Sequence, residues 1–348
     1  MRRFIVCLLL AANCSAFGPK ECELPNALCD GQGLLALWLA VQPYTRFVVS
    51  ANSGSNSFSV FGVARSTGAL TKAGDFTLPA APTSLAFRAS TGHLFVATSP
   101  NIYTYEFSTT GGSTLVSSIS TGGGDQLTLH PNGRFLFLTR GANNLISTYS
   151  VSANGTLALS SSVASTLPSG IVIDSTGRFL YAVQSGTGQI EQLLLDQAGG
   201  LTNRGALALG CTGSSLGSTA VDVVAFACTG ANALRTFRID SVGLLTTTGL
   251  AVATAPRQLA LLPSGLVMLA AHQFGIGTYS LASGSVTTLS TTGSGGAYRG
   301  LALDSSGQFV WATPASGGVE TYLLSGTTLI SGGATSSTAA IFLLPINY

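Results

Sequence analysis

The chain has 348 residues, of which 46% are hydrophobic and 8% charged, with 43 glycines and a formal net charge of +2. So little charge excludes a basic nucleic-acid surface, and so much apolar material excludes a disordered chain. Stretches of Ser and Thr, β-branched residues and Gly/Asn turns, without long amphipathic helical patterns, point to one large all-β domain.

The first element, residues 1–16, places two arginines ahead of nine apolar residues, Phe4 to Ala12, and then small residues. That is the layout of a secretory signal peptide, with an apolar run too short to span a bilayer. Two processing routes fit it. Cleavage after Ala16 would release a soluble periplasmic or extracellular protein. Alternatively "LAANC" resembles a bacterial lipobox, with Cys14 lipidated and the protein held on the outer membrane by lipid alone; Asn13 stands where that pattern usually has a small residue. No later segment reaches the ~18 apolar residues of a membrane helix. Without residues 1–16 the basic and acidic residues are thirteen each, which argues against electrostatic membrane docking. Residues 17–45 read as an N-terminal arm containing the apolar run "GLLALWLAV" at 33–41.

From residue 46 onward the sequence repeats. Turn glycines Gly92, Gly133, Gly177, Gly265 and Gly307 follow one another at intervals of 41, 44, 88 and 42, so one copy, around 218–240, has lost its marker. Each copy has a short apolar strand, a turn, a second strand such as "RFLFLTR", a Gly/Asn loop, a third strand such as "LISTYSV", and a more polar fourth strand. Four antiparallel strands per ~40–45 residues is the signature of a β-propeller blade. The first strand, beside the central channel, is expected to be covered on both faces, which accounts for its unbroken apolar character. Six full units and one split between the termini give seven blades over 46–348. Pairing of a C-terminal strand at about 339–346 with the strand at 46–51 would close the ring and remove both open edges. The run at 33–41 competes for that place.

Cysteines in an exported chain suggest disulfides. Cys211 lies on the link into one blade and Cys228 at the end of that blade's second strand, on the same face, so these two are expected to pair. Cys22 and Cys29 would tie down the arm. Their spacing does not suit zinc.

The phrases "HPNGRFLFLTRGANNLISTYSV" and "DSTGRFLYAV" resemble the seven-bladed lactonase family, the 6-phosphogluconolactonase-type propellers and their muconate-cyclase relatives. The resemblance covers roughly 46–348 and implies that Arg140 and Arg257 match ligand-binding arginines of that family. In the family's enzymes those arginines come from consecutive blades, whereas here they lie three blades apart. The family's histidine after a "GPR" stretch and its glutamate have no counterpart.

Propeller ligands sit over the channel, on the face of the loops that follow second strands and precede first strands. Those loops carry Asn52, Thr98, Asp125, Gln126, Arg140, Gln184, Arg257, Gln258, His272, Gln273, Tyr298 and Arg299. Arg140, Arg257 and Arg299 with Asp125, Gln184 and Gln273 would suit a small anionic or sugar-like ligand, because guanidinium offers paired donors to planar anions. His272 is the candidate general base, as the one histidine on that face. His130 occupies the turn slot held by Asp174 and Asp304 in sister blades, where a short polar side chain caps the turn. Asp125 alone among the acids faces the mouth, too few for calcium, so neither a metal nor a cofactor is expected. No G-x-S-x-G elbow or phosphate loop is present. The reading is an exported, monomeric propeller acting as a binding or interaction module for such a ligand or for a protein partner. The alternative is a sugar-acid lactone hydrolase in which the three arginines hold an anion and His272 is the base. The sequence leaves open whether the chain is an enzyme.

Overall fold

A computed structural model describes residues 46–348 apart from 214, 220–221, 263, 283–284, 293–295, 336–339 and 348. The expected signal peptide and arm, with Cys14, Cys22 and Cys29, lie outside the described residues.

Seven four-stranded antiparallel sheets follow one another around the ring. Blade 1 combines the strand Ala340–Asn347 with three strands between 46 and 77; blades 2 to 7 occupy 82–120, 127–164, 168–208, 215–252, 259–292 and 298–335. Ring closure follows the C-terminal route. Ala340–Asn347 is the innermost strand of blade 1 and pairs antiparallel with Arg46–Asn52, matching Phe47 with Ile346 and Ser50 with Leu343. The described ring thus begins on a second strand and returns 288 residues later to supply the missing first one.

Seven apolar clusters fill the seven gaps between neighbouring blades. The seam between blade 7 and blade 1 is packed like the others, with Phe309, Trp311 and Val319 against Val48, Phe61 and Leu70. It is also tied by polar contacts. Trp311 Nε1 donates to the Gly68 carbonyl at 3.0 Å, and Arg46 meets Asp304 at 3.2 Å.

The most buried strand is the second, not the first. His93–Thr98, Phe179–Gln184, Val223–Cys228 and Phe309–Pro314 are buried at every position, whereas Leu127–Leu129 and Leu259–Leu261 are each buried at one position of three. A second strand has a partner on each edge and a neighbouring blade on each face. A first strand has the channel on one side.

Neighbouring blades also lock through glycines in the turns between third and fourth strands. Gly243, at φ +86°, lies over the Phe179 ring of the preceding blade, and an added Cβ would approach that ring to 2.2 Å. Gly68, Gly111, Gly155 and Gly199 sit in the same way on Phe309, Phe47, His93 and Phe135. Each cover rests on the first or second residue of a second strand, so the lock repeats around the ring.

On the face away from the channel loops, His130 behaves as its turn position suggests and adds a link between blades. Its Nδ1 accepts the Asn132 N–H at 3.0 Å, so the proton lies on Nε2, which donates to the Gly177 carbonyl at 3.0 Å. Asp174 caps the equivalent turn by accepting N–H groups of Thr176 and Phe179.

Truncation after Thr335 removes the inner strand of blade 1 and should abolish the cooperative thermal transition followed by circular dichroism; an unchanged melt would contradict closure through this strand. Gly243→Ala should lower stability to urea by about 2–3 kcal/mol, because both the positive φ and the contact with Phe179 oppose a side chain.

Candidate ligand site at the channel mouth

The first strands share a local irregularity that decides which side chains reach the mouth. In six of the seven blades the ladder carries an extra residue where the first strand begins. Thr83 is skipped between Pro82 and Ser84, Arg299 between Tyr298 and Gly300, and Ile341 between Ala340 and Phe342. In blade 3 both Asp125 and Gln126 bond to Thr139, and in blade 6 both Arg257 and Gln258 bond to Ala271. Blade 4 skips two residues, Ser169 and Gly170. Such a β-bulge kinks the strand and re-aims a side chain at a sheet rim. Asp125, Arg257 and Arg299 are exposed, and Thr83, Ser169 and Ile341 are half-buried.

Residues at the start of the first strands, three of them just after these bulges, stitch the blades together. Ser84 Oγ accepts the Leu127 N–H, Gln126 Oε1 that of Ile171, Ser215 Oγ that of Leu259 and Gln258 Oε1 that of Leu301, at 3.0 to 3.2 Å. Gln126 and Gln258, which the sequence places among the mouth residues, are therefore committed to this belt. The Gln258 link joins the strand carrying Arg257 to the strand carrying Arg299.

Arg140, Gln184 and His272 form a second set. With Asn52, Thr98, Cys228 and Pro314 they are the last residues of the seven second strands. Their side chains lie along their own blades, between one blade and the next. Arg140 Nη1 donates to Ser147 Oγ at 3.4 Å, and its Nε is buried without a hydrogen-bond partner. Gln184, 8% exposed, donates to Glu191 at 3.2 Å; Glu191, 1% exposed, also accepts from Ser165 and Asn203. Asn52 bonds Ser59 at 2.7 Å. Cys228 is disulfide-bonded to Cys211, with Cα atoms 5.8 Å apart, as their shared face suggests.

His272 is 5% exposed, and Tyr279 Oη lies 2.7 Å from its Nε2. Gly277 leaves room for this pair, since a Cβ there would lie 2.4 Å from the imidazole. Burial pushes the His272 pKa below its ordinary 6.5, against a smaller upward pull from a hydrogen bond to the Thr254 backbone. The imidazole is thus held neutral with both ring nitrogens engaged, shielded from the mouth.

The structure therefore brings Asp125, Arg257 and Arg299 into one ring of equivalent positions and sets Arg140, Gln184 and His272 in another. Gln273 is exposed at the tip of the hairpin that follows His272. Among the described residues the ion pairs are Arg46–Asp304 and Lys72–Asp75, so neither Arg257 nor Arg299 is neutralised by a carboxylate. Their bulges are on consecutive blades. Sequence reasoning found the three mouth residues but missed Thr83 and Ser169, whose signal is their ~42–44-residue spacing from Asp125. No group of three or more potential metal ligands occurs among the described residues.

Residues 116–209 match the family described as Lactonase, 7-bladed beta-propeller. The ring is a seven-bladed propeller whose blades at 116–209 are similar to that family. Similar solved structures include a candidate 6-phosphogluconolactonase from Bacteroides fragilis (TM-score 0.78, 15% identity, covering 87% of this chain and 98% of that one). The periplasmic gluconolactonase of Pseudomonas aeruginosa is similar too (TM-score 0.76, 16% identity, 86% and 99%). So is a protein of unknown function from Desulfotomaculum acetoxidans (TM-score 0.74, 14% identity, 86% and 99%). At these identities the likeness is one of fold. No curated protein matches the chain by sequence.

His272 gives this propeller a pH signature. Its folded-state pKa is depressed, so the unfolded chain takes up a proton as pH falls through about 6.5 and the folded chain does not. Stability should therefore fall below that pH. His93, whose pKa burial and Arg88 also lower, adds to the effect. Melting temperatures between pH 5 and 8 should decline less steeply on the acid side for His272→Gln than for the wild type; parallel profiles would contradict a buried neutral imidazole.

Proposed function

We propose that this propeller hydrolyses a sugar-acid lactone at the channel mouth. The observation that carries the reading is the pair Arg257 and Arg299, exposed on stitched bulges of neighbouring blades with no carboxylate partner among the described residues. Two guanidiniums so placed suit a carboxylate or phosphate substituent and the negative charge that develops on a lactone carbonyl under attack by water. Asp125, the carboxylate of the same ring, takes the proton from the attacking water. Its Oδ2 accepts the Gly141 N–H at 2.6 Å, which anchors it in place. Attack forms the new C–O bond, the ring C–O bond breaks, and the leaving alkoxide takes up a proton to give the open hydroxy acid. The family match over 116–209 and the lactonases among the similar structures support this class of reaction.

A second reading, a non-catalytic binding module, is favoured by one specific observation. His272, the histidine that sequence position nominates as base, is buried against Tyr279. The same ring would then bind a small anionic or sugar-like ligand without turnover. Export, by a cleaved signal or a lipidated Cys14, and action as a monomer are parts of either proposal.

Mature protein assayed on a panel of sugar lactones should hydrolyse at least one. Arg257→Ala and Asp125→Asn should each lower kcat/KM by about a hundredfold. A panel flat above background hydrolysis would sink the hydrolase, and calorimetric binding of a sugar acid would then decide for the binding module.

A further inference from the structure

Phe274 is the one exposed aromatic among the described residues, 59% accessible, while the tyrosines and Trp311 are buried. It sits in the two-residue connection between Val267–His272 and the strand Gly275–Ser280. That connection is shorter than the four-residue ones joining the corresponding strands of blades 3, 4 and 5. The hairpin is held to the link that carries Arg257. Gln273 N–H donates to the Thr254 carbonyl at 3.3 Å, and Arg257 N–H donates to the Ala271 carbonyl at 2.9 Å. Behind it, Gly275 at φ +150° lets the backbone run close to Thr292, where a Cβ would lie 2.8 Å from the carbonyl oxygen. The ring is thus presented on a short, tethered hairpin, on the same blade and the same face as one arginine of the pair.

We propose that Phe274 is the stacking platform for the ring of an anionic sugar ligand whose charged group Arg257 and Arg299 hold, and so a specificity-determining residue of the mouth. The inference rests on the anion site proposed above and names its substrate class. An aromatic face carries negative charge density and attracts the weakly positive C–H groups on the apolar face of a pyranose, while the guanidiniums bind the acid. Neither element alone selects a sugar acid. A bare anion uses the arginines only, and a neutral sugar uses Phe274 only.

The test is calorimetric binding of glucose 6-phosphate and of inorganic phosphate to the mature chain and its variants. Phe274→Ala should weaken glucose 6-phosphate by about tenfold and leave phosphate unchanged; Phe274→Tyr should restore the sugar phosphate. Arg257→Ala should weaken both probes. Glucose 6-phosphate binding that needs Arg257 but is unaltered in Phe274→Ala would overturn the platform and leave the anion site standing. Equal weakening of both probes in Phe274→Ala would also overturn it, as a structural effect. Wild-type protein that binds neither probe would overturn the anion site and the platform together.

Discussion

The whole ring depends on the pairing of Arg46–Asn52 with Ala340–Asn347. A row of blades has two exposed sheet edges and two unfilled apolar faces; joining the ends satisfies both at once. Here the join uses the innermost strand of a blade, so losing it would open the channel wall as well as the seam. The contacts around it reflect that demand: a packed cluster, the Trp311 indole on the Gly68 carbonyl, and Arg46 on Asp304, the residue that caps the first turn of blade 7.

Closure fixes the channel, and the bulges fix what faces it. A flat blade shows both of its faces to neighbouring blades, so only the inner edge can present side chains to a ligand. The extra residue at the start of the first strand in six blades supplies that presentation, and in blades 2, 3 and 6 the following residue stitches one blade to the next. Asp125, Arg257 and Arg299 differ in chemistry but occupy equivalent positions. The mouth therefore varies one residue per blade while the scaffold beneath it repeats.

Much of this was legible in the sequence. The spaced turn glycines gave the blade count, the polar slot shared by His130, Asp174 and Asp304 gave the turn caps, and Cys211 with Cys228 gave a disulfide. The division of the candidate site residues into two rings was not legible. Loop position assigns Arg140, Gln184 and His272 to the mouth face, but alternation within a strand says which blade face a side chain takes, and both blade faces are interfaces. A bulge adds a residue without altering the apolar pattern, so Arg299 and Arg140 look alike until the ladder is seen. The expectation that the first strands are covered on both faces failed for a related reason: an apolar run marks burial without saying whether the cover is a blade or a channel.

The central claim is that the bulge ring, and not the ends of the second strands, forms the ligand site. A crystal structure of the mature chain grown with glucose 6-phosphate tests it most directly. The account predicts the phosphate between the guanidiniums of Arg257 and Arg299. A ligand bound instead against Arg140 or His272, or both mouth arginines turned into salt bridges, would contradict it.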